Sequence, residues 1–87
     1  MKKYNVALSN DSCIFDSCDG FCSVAEAISW ASDRGGEYVI QIAKEVDGKE
    51  VDFISIGAST SCGRTTYSHY YICDWEPVTV EQIARMI

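Results

Sequence analysis

The chain has 87 residues and a formal net charge of −6, since 13 acidic residues outnumber 7 basic ones. This length and a hydrophobic content of 47% predict one globular α+β domain over residues 1–87 and argue against disorder. The acidic balance argues against direct binding to nucleic acid or to anionic membranes, because both require clustered Lys and Arg.

The first part of the chain predicts one strand and one helix with a loop between them. Residues 3–9 alternate between apolar and polar, which is typical of a half-buried strand. Residues 10–21 are rich in Asp, Ser and Gly and predict a loop. Ser23 and Glu26 have the spacing of a capping box that opens a helix, and the glycine pair 35–36 is expected to end it. The apolar stripe of this helix consists of Val24, Ala27, Ile28 and Ala31.

Residues 38–56 predict a β-hairpin. Asp47-Gly48 between two alternating runs is typical of a two-residue type I′ turn. With regular pairing from that turn, Ile42 faces Phe53, and Phe53 lies with Val51 on the side of the hairpin that joins the core. The predicted shared core consists of Ile28, Ile40, Ile42, Phe53 and Ile83.

The last third predicts a connection, a strand and a short helix. Residues 57–64 are small and polar, and residues 65–75 are β-branched or aromatic, which favours an extended strand that Pro77 ends. Thr79 and Gln82 form a second capping box before a terminal helix. The predicted order is β-α-β-β-β-α, with two helices packed on one face of a mainly antiparallel sheet.

Three of the five cysteines, Cys13, Cys18 and Cys22, lie within ten residues of one another. Structural zinc sites usually have four ligands in close C-x₂-C pairs, a spacing that these residues lack. The odd number of cysteines and the lack of a signal-peptide pattern argue against a disulfide framework. We therefore expect reduced thiols with no metal or other cofactor. A zinc-binding or thiol-redox module built on these three residues is the alternative function.

Catalytic templates fit the sequence poorly, and we expect no enzyme. Cys62 and His69 are a possible nucleophile and base, but such pairs need an orienting third group and a thiolate near a helix N-terminus. The segment 57–65 has glycines like those of a phosphate loop, but Arg64 replaces the lysine and a strand follows instead of a helix.

The predicted function is non-enzymatic: the chain binds another protein and catalyses no reaction. No basic residue lies between Tyr4 and Asp33, and this acidic stretch should attract a basic protein surface. In composition, although not in any motif, the chain is similar to small acidic accessory proteins of phages and mobile elements, including inhibitors of the anti-CRISPR and DNA-mimic types. We expect a cytoplasmic location because no signal-peptide pattern or membrane-spanning apolar run is present. The predicted binding residues are Asp11, Asp16, Asp19, Tyr67, Tyr70, Tyr71 and Trp75.

Overall fold

The computed structural model describes residues 2–10, 13–34, 37–71 and 74–87, without the side chains of residues 70, 71, 74 and 75. Within these ranges a six-stranded antiparallel sheet has the strand order β2-β1-β3-β4-β5-β6 and packs against two helices. The predicted α+β class, with both helices on one face of the sheet, is confirmed. The elements in chain order are β1 (Lys2–Ser9), β2 (Ile14–Phe21), α1 (Val24–Ser32), β3 (Glu37–Val46), β4 (Lys49–Ser61), β5 (Arg64–Tyr71), β6 (Asp74–Val78) and α2 (Val80–Met86).

One apolar core lies between the sheet and the helices. Alternate residues of β1, β3 and β4 point into it, because successive side chains of a strand face opposite sides. Ile28 of α1 and Ile83 of α2 complete this core and are almost fully buried. Four of the five predicted core residues are thus confirmed. In the described part of the chain, no helix is long and apolar enough to cross a membrane.

Both helices begin as the capping motifs predict. The Ser23 hydroxyl accepts a hydrogen bond from the Glu26 N–H at 3.2 Å, but the Glu26 carboxylate accepts from Cys22 N–H, one residue before the cap. At α2 the full capping box forms, with the Thr79 and Gln82 side chains each bonded to the other's backbone N–H. The predicted stop of α1 at residues 35–36 lies outside the described residues, and α1 ends at Ser32.

The β3–β4 hairpin has the predicted turn and a different register. Asp47 and Gly48 have φ values of 52° and 84°, as a type I′ turn requires. A bulge beyond the turn then leaves Val51 without a partner, so that Ile42 pairs with Ile54 instead of Phe53. The predicted core position of Phe53 is therefore wrong: the extra residue turns Phe53 to the opposite face, where it is 51% exposed.

Two strands were not predicted, and one is longer than expected. Residues 14–21, predicted as loop, form β2 at one edge of the sheet. Residues 57–61, predicted as connection, extend β4, and the turn to β5 is only Cys62 and Gly63. The predicted strand 65–75 is divided into β5 and β6, and Pro77 lies within β6. A proline is tolerated there because β6 is an edge strand.

Tyr38 joins β3 to the end of α1. Its buried hydroxyl donates to the carbonyl oxygen of Ala31 at 2.6 Å, and the same oxygen accepts from the Arg34 N–H at 3.1 Å, so Tyr38 adds a second kind of donor to the last turn of the helix. Burial raises the pKa of this hydroxyl above its ordinary value, and Tyr67 and Asp33 add to the rise while Arg34 opposes it. The neutral form of Tyr38 is therefore the one that the folded state favours.

Candidate binding surface

The edge strand β2 exposes two large apolar side chains beside acidic ones. Ile14 is 60% exposed and Phe15 is 46% exposed, and Asp16 and Asp19 follow in the same strand. The Phe15 ring meets the Tyr38 ring edge to face, with 6.2 Å between centroids, and this contact partly fixes the position of Phe15. We call the four residues Ile14, Phe15, Asp16 and Asp19 the β2 surface, which wraps around the sheet edge: Phe15 and Asp16 lie on the helix side, and Ile14, which pairs with Ser9, lies on the opposite side.

Arg34 connects the β2 surface to α1. Its Nε donates to Asp16 Oδ2 at 3.2 Å, and its guanidinium carbon lies 3.9 Å from the centre of the Trp30 ring. The other Asp16 oxygen, Oδ1, accepts from the Ser17 N–H at 2.9 Å. The Phe21 ring also packs against Trp30, with 5.9 Å between centroids. These contacts hold the edge strand against the helix and compensate the charge of Asp16, whereas Asp19 stays exposed.

The net charge is unevenly distributed along the fold. The register brings the start of β1 beside the β3–β4 turn, where four basic residues meet four acidic ones. The rest of the chain, with nine acidic and three basic residues, therefore carries the whole net charge of −6. The residues at the turn end are Lys2, Lys3, Lys44, Lys49, Glu45, Asp47, Glu50 and Asp52.

The predicted acidic and aromatic binding residues whose side chains the structure describes do not form one patch. Asp16 and Asp19 lie in β2, and Tyr67 lies in β5 with its ring half-buried against the core. Since β1, β3 and β4 separate the two strands, their axes are about 19 Å apart at ~4.8 Å per strand. Asp11 lies outside the described residues, as do the side chains of the remaining predicted residues, Tyr70, Tyr71 and Trp75.

Ile14 and Phe15 were missed as candidate binding residues. Both lie in the segment that the sequence predicts as loop, where their orientation could not be inferred. The one signal available was an adjacent apolar pair in an otherwise polar stretch, 10–20, that has no helical or strand period.

The cysteines do not assemble into a recognisable site in the part of the chain that the structure describes. Cys13, Cys22 and Cys62 are exposed and Cys18 is half-buried, all four as free thiols. No group of three or more potential metal ligands is present among the described residues. Cys62 is in the β4–β5 turn, whereas His69 pairs with Ile56, five register steps away, or about 17 Å at ~3.3 Å per residue. Cys62 and His69 are therefore too far apart to act together as a nucleophile and its base.

Comparisons with protein-family models, curated proteins and solved structures each find no match to this chain. The β2 surface is therefore interpreted from its own chemistry. It combines exposed apolar side chains with charged neighbours, and anchors surrounded by a polar rim are typical of surfaces that bind proteins.

Proposed function

We propose that this protein is a non-enzymatic module that uses the β2 surface to bind another protein with basic side chains. The observation that supports the proposal is the exposure of Ile14 and Phe15 on an edge strand beside acidic residues. Full burial of an exposed apolar side chain contributes about 1.5–3 kcal/mol, and Ile14 and Phe15 are already about half-buried. The two anchors together therefore add about 1.5–3 kcal/mol toward the ~8 kcal/mol of a micromolar affinity.

The acidic side chains have a different role from the anchors. Asp19 is exposed, so it retains its full charge for a basic partner, and it acts mainly on the rate of association. Asp16 already pairs with Arg34, and its contribution is to orient β2 against α1. We expect association to slow as salt rises, because exposed charges are screened beyond ~8–10 Å at physiological ionic strength.

The proposal extends to an inhibitory function in the cytoplasm, of the kind served by accessory proteins of phages and mobile elements. Support comes from composition: a small chain with a net charge of −6 suits a protein that occupies a basic, nucleic-acid-binding surface of its partner. Such an inhibitor competes with DNA or RNA for the partner. Addition of nucleic acid should therefore displace it, and a complex unaffected by nucleic acid would contradict this extension.

Affinity capture from the native host, with the bound proteins identified by mass spectrometry, tests the binding function. Phe15→Ser should remove the partner, whereas Val51→Ser, a change of a similarly exposed apolar side chain near the β3–β4 turn, should retain it. Asp19→Asn should slow association, and Glu50→Gln at the charge-balanced turn should leave it unchanged. Equal capture by Phe15→Ser and wild type would contradict the β2 surface. Near-equimolar zinc by elemental analysis of the purified protein would instead favour the alternative module on Cys13, Cys18 and Cys22.

A further inference from the structure

The sheet face opposite the helices is uncovered, and its centre has no charged residue. On the four inner strands, the structure describes twelve uncharged residues that face this side, although 20 of the chain's 87 residues are charged. The charged residues on this side lie at its two ends: Lys3, Glu45 and Glu50 beside the β3–β4 turn, and Glu37 and Arg64 at the other end. We call the twelve residues the open face: Asn5, Ala7, Ser9, Val39, Gln41, Ala43, Phe53, Ser55, Gly57, Ser59, Thr66 and Ser68.

The open face has a protrusion at one end and a groove at the other. Phe53 rises, half exposed, from a row whose other members, Asn5 and Ala43, are smaller. Four residues further along β4, Gly57 leaves a gap between Val39 and its β5 neighbour. That gap is part of a shallow groove of about 530 Å³, whose lining includes Ser9, Val39, Gly57, Ser59, Thr66 and Ser68, with the charged Glu37 at its outer end. A mid-strand glycine often marks a place where another chain approaches closely.

We propose that the open face binds a second copy of this chain, with Phe53 of each copy seated over Gly57 of the other. A two-fold axis that crosses the strands at the row of Ala7, Gln41 and Ser55 exchanges the two ends of the face. Since Phe53 and Gly57 both lie on β4, two residues to either side of Ser55, this rotation superposes protrusion and groove. The face is thus complementary to itself, as a two-fold interface must be.

Shape favours a second copy as the occupant, and area predicts that the pair is weak. The four strands of the open face span about 19 Å at ~4.8 Å per strand, and its four rows of residues span about 27 Å at ~3.4 Å per residue, which gives about 500 Å². A stable interface buries about 800 Å² per partner, so this face is smaller than a stable interface requires and suits a pair that dissociates readily. Charge opposes the pair: each copy carries −6, and the rotation places Glu37 of one copy over Glu45 of the other, since each lies four residues from Gln41 on β3. The small side chains also allow two sheets to pack closely.

Charge placed on the axis provides the sharpest test. Ser55 lies beside its own counterpart across the axis, so both Ser55→Lys and Ser55→Glu should raise the dissociation constant of the pair by ~100-fold or more, through buried like charges. A mixture of the two variants should associate again, because Lys then meets Glu. Ser29→Lys on the exposed face of α1 is the matched control and should not weaken association. Restoration on mixing also shows that both variants are folded.

Sedimentation equilibrium of the purified protein measures each state against the monomer mass of 9.6 kDa. We expect wild type to reach twice that mass in the micromolar range and to associate more tightly at 500 mM than at 50 mM NaCl, because salt screens the repulsion between copies. Phe53→Ala should weaken the pair ~30-fold or more, and Phe15→Ala should not. A wild type that stays monomeric at 0.5 mM, or a pair that Ser55→Lys does not weaken, would overturn the proposal.

The outcome does not depend on the function proposed above. Self-association is measured on the purified protein alone. Ile14 borders the open face beside Ser9, but Phe15, the residue changed to test partner binding, contacts Tyr38 on the helix side of the sheet. A monomer that captures a host protein through the open face would overturn the self-association while leaving a protein-binding function in place.

Discussion

Two neighbouring residues of β4, Phe53 and Ile54, provide a direct test of the hairpin register. Ile54 is 7% exposed and pairs with Ile42 in the core, whereas Phe53 is 51% exposed on the open face. Ile54→Ala should reduce the free energy of unfolding by about 2–4 kcal/mol, from lost burial and the cavity left behind. Phe53→Ala should change it by less than about 1 kcal/mol, since half of the ring is already in water.

Urea denaturation followed by circular dichroism measures both values. Both changes should be made in a Ser55→Lys background, in which the proposed pair does not form, because a pair that forms only in the folded state adds apparent stability. Truncation of the smaller side chain, Ile54, should thus destabilise the protein more than truncation of Phe53. Side-chain hydrophobicity alone would predict the opposite order. If Phe53→Ala costs more than Ile54→Ala, the bulge at Val51 is absent and the register is the regular one.

Three further predictions concern the turn, the edge strand and the buried tyrosine. Gly48→Val should reduce stability by about 1 kcal/mol or more, because a β-branched residue resists the φ of 84°. Lys49→Val is the control, and a urea midpoint of Gly48→Val equal to that of wild type would refute the turn. Arg34→Ala should cost about 1 kcal/mol, since its ion pair is partly exposed, and should speed hydrogen exchange in β2; unchanged exchange would show that Arg34 does not hold the strand. Tyr38→Phe should cost about 1 kcal/mol near neutral pH. Because the pKa of Tyr38 is raised in the folded state, its stabilisation is complete below about pH 10 and is lost as pH rises through the folded value, so the variant should lose less stability in alkali than wild type.

The parts of the fold that depend on local interactions could be predicted from the sequence. Each helix start is specified by residues three positions apart, and the type I′ turn by two adjacent residues, so nothing distant has to be known. The alternation in β1 was equally clear because only one of its faces is apolar. These motifs were sufficient for the α+β class and for most of the core.

The register of β4 required information that the sequence pattern does not contain. Val51 and Phe53 are apolar, and so are Ile54 and Ile56, so alternation alone permits either set to face the core. One extra residue at the bulge decides between them, because a shift of one position exchanges the faces of a strand. Ile54 and Ile56 face the core because the helices pack over that side of the sheet, and this depends on tertiary contacts that are distant in the sequence.

The β2 strand was missed for a related reason. Its stability comes from pairing with β1 and from the contacts of Arg34 with Asp16 and Trp30, which lie 18 and 4 residues away in the chain. The strand itself is rich in residues that disfavour strands, and Gly20 has a positive φ of 88° within it. The candidate binding surface could therefore be identified only from the structure, in which β2 is a strand.

The two proposed surfaces have a geometric relation with a functional consequence. A two-fold axis that crosses the strands keeps each strand over its own counterpart, so the β2 strands of both copies lie along the same edge of the pair. Packed sheets are ~10 Å apart, which doubles the density of acidic and apolar side chains on that edge. A partner that contacts both β2 surfaces at once gains from the second contact at high effective concentration. Ser55→Lys should then weaken partner binding although it leaves the β2 surface intact, whereas Phe15→Ser should abolish partner binding and leave the pair intact. If Ser55→Lys separates the copies and the partner still binds with wild-type affinity, each copy acts alone.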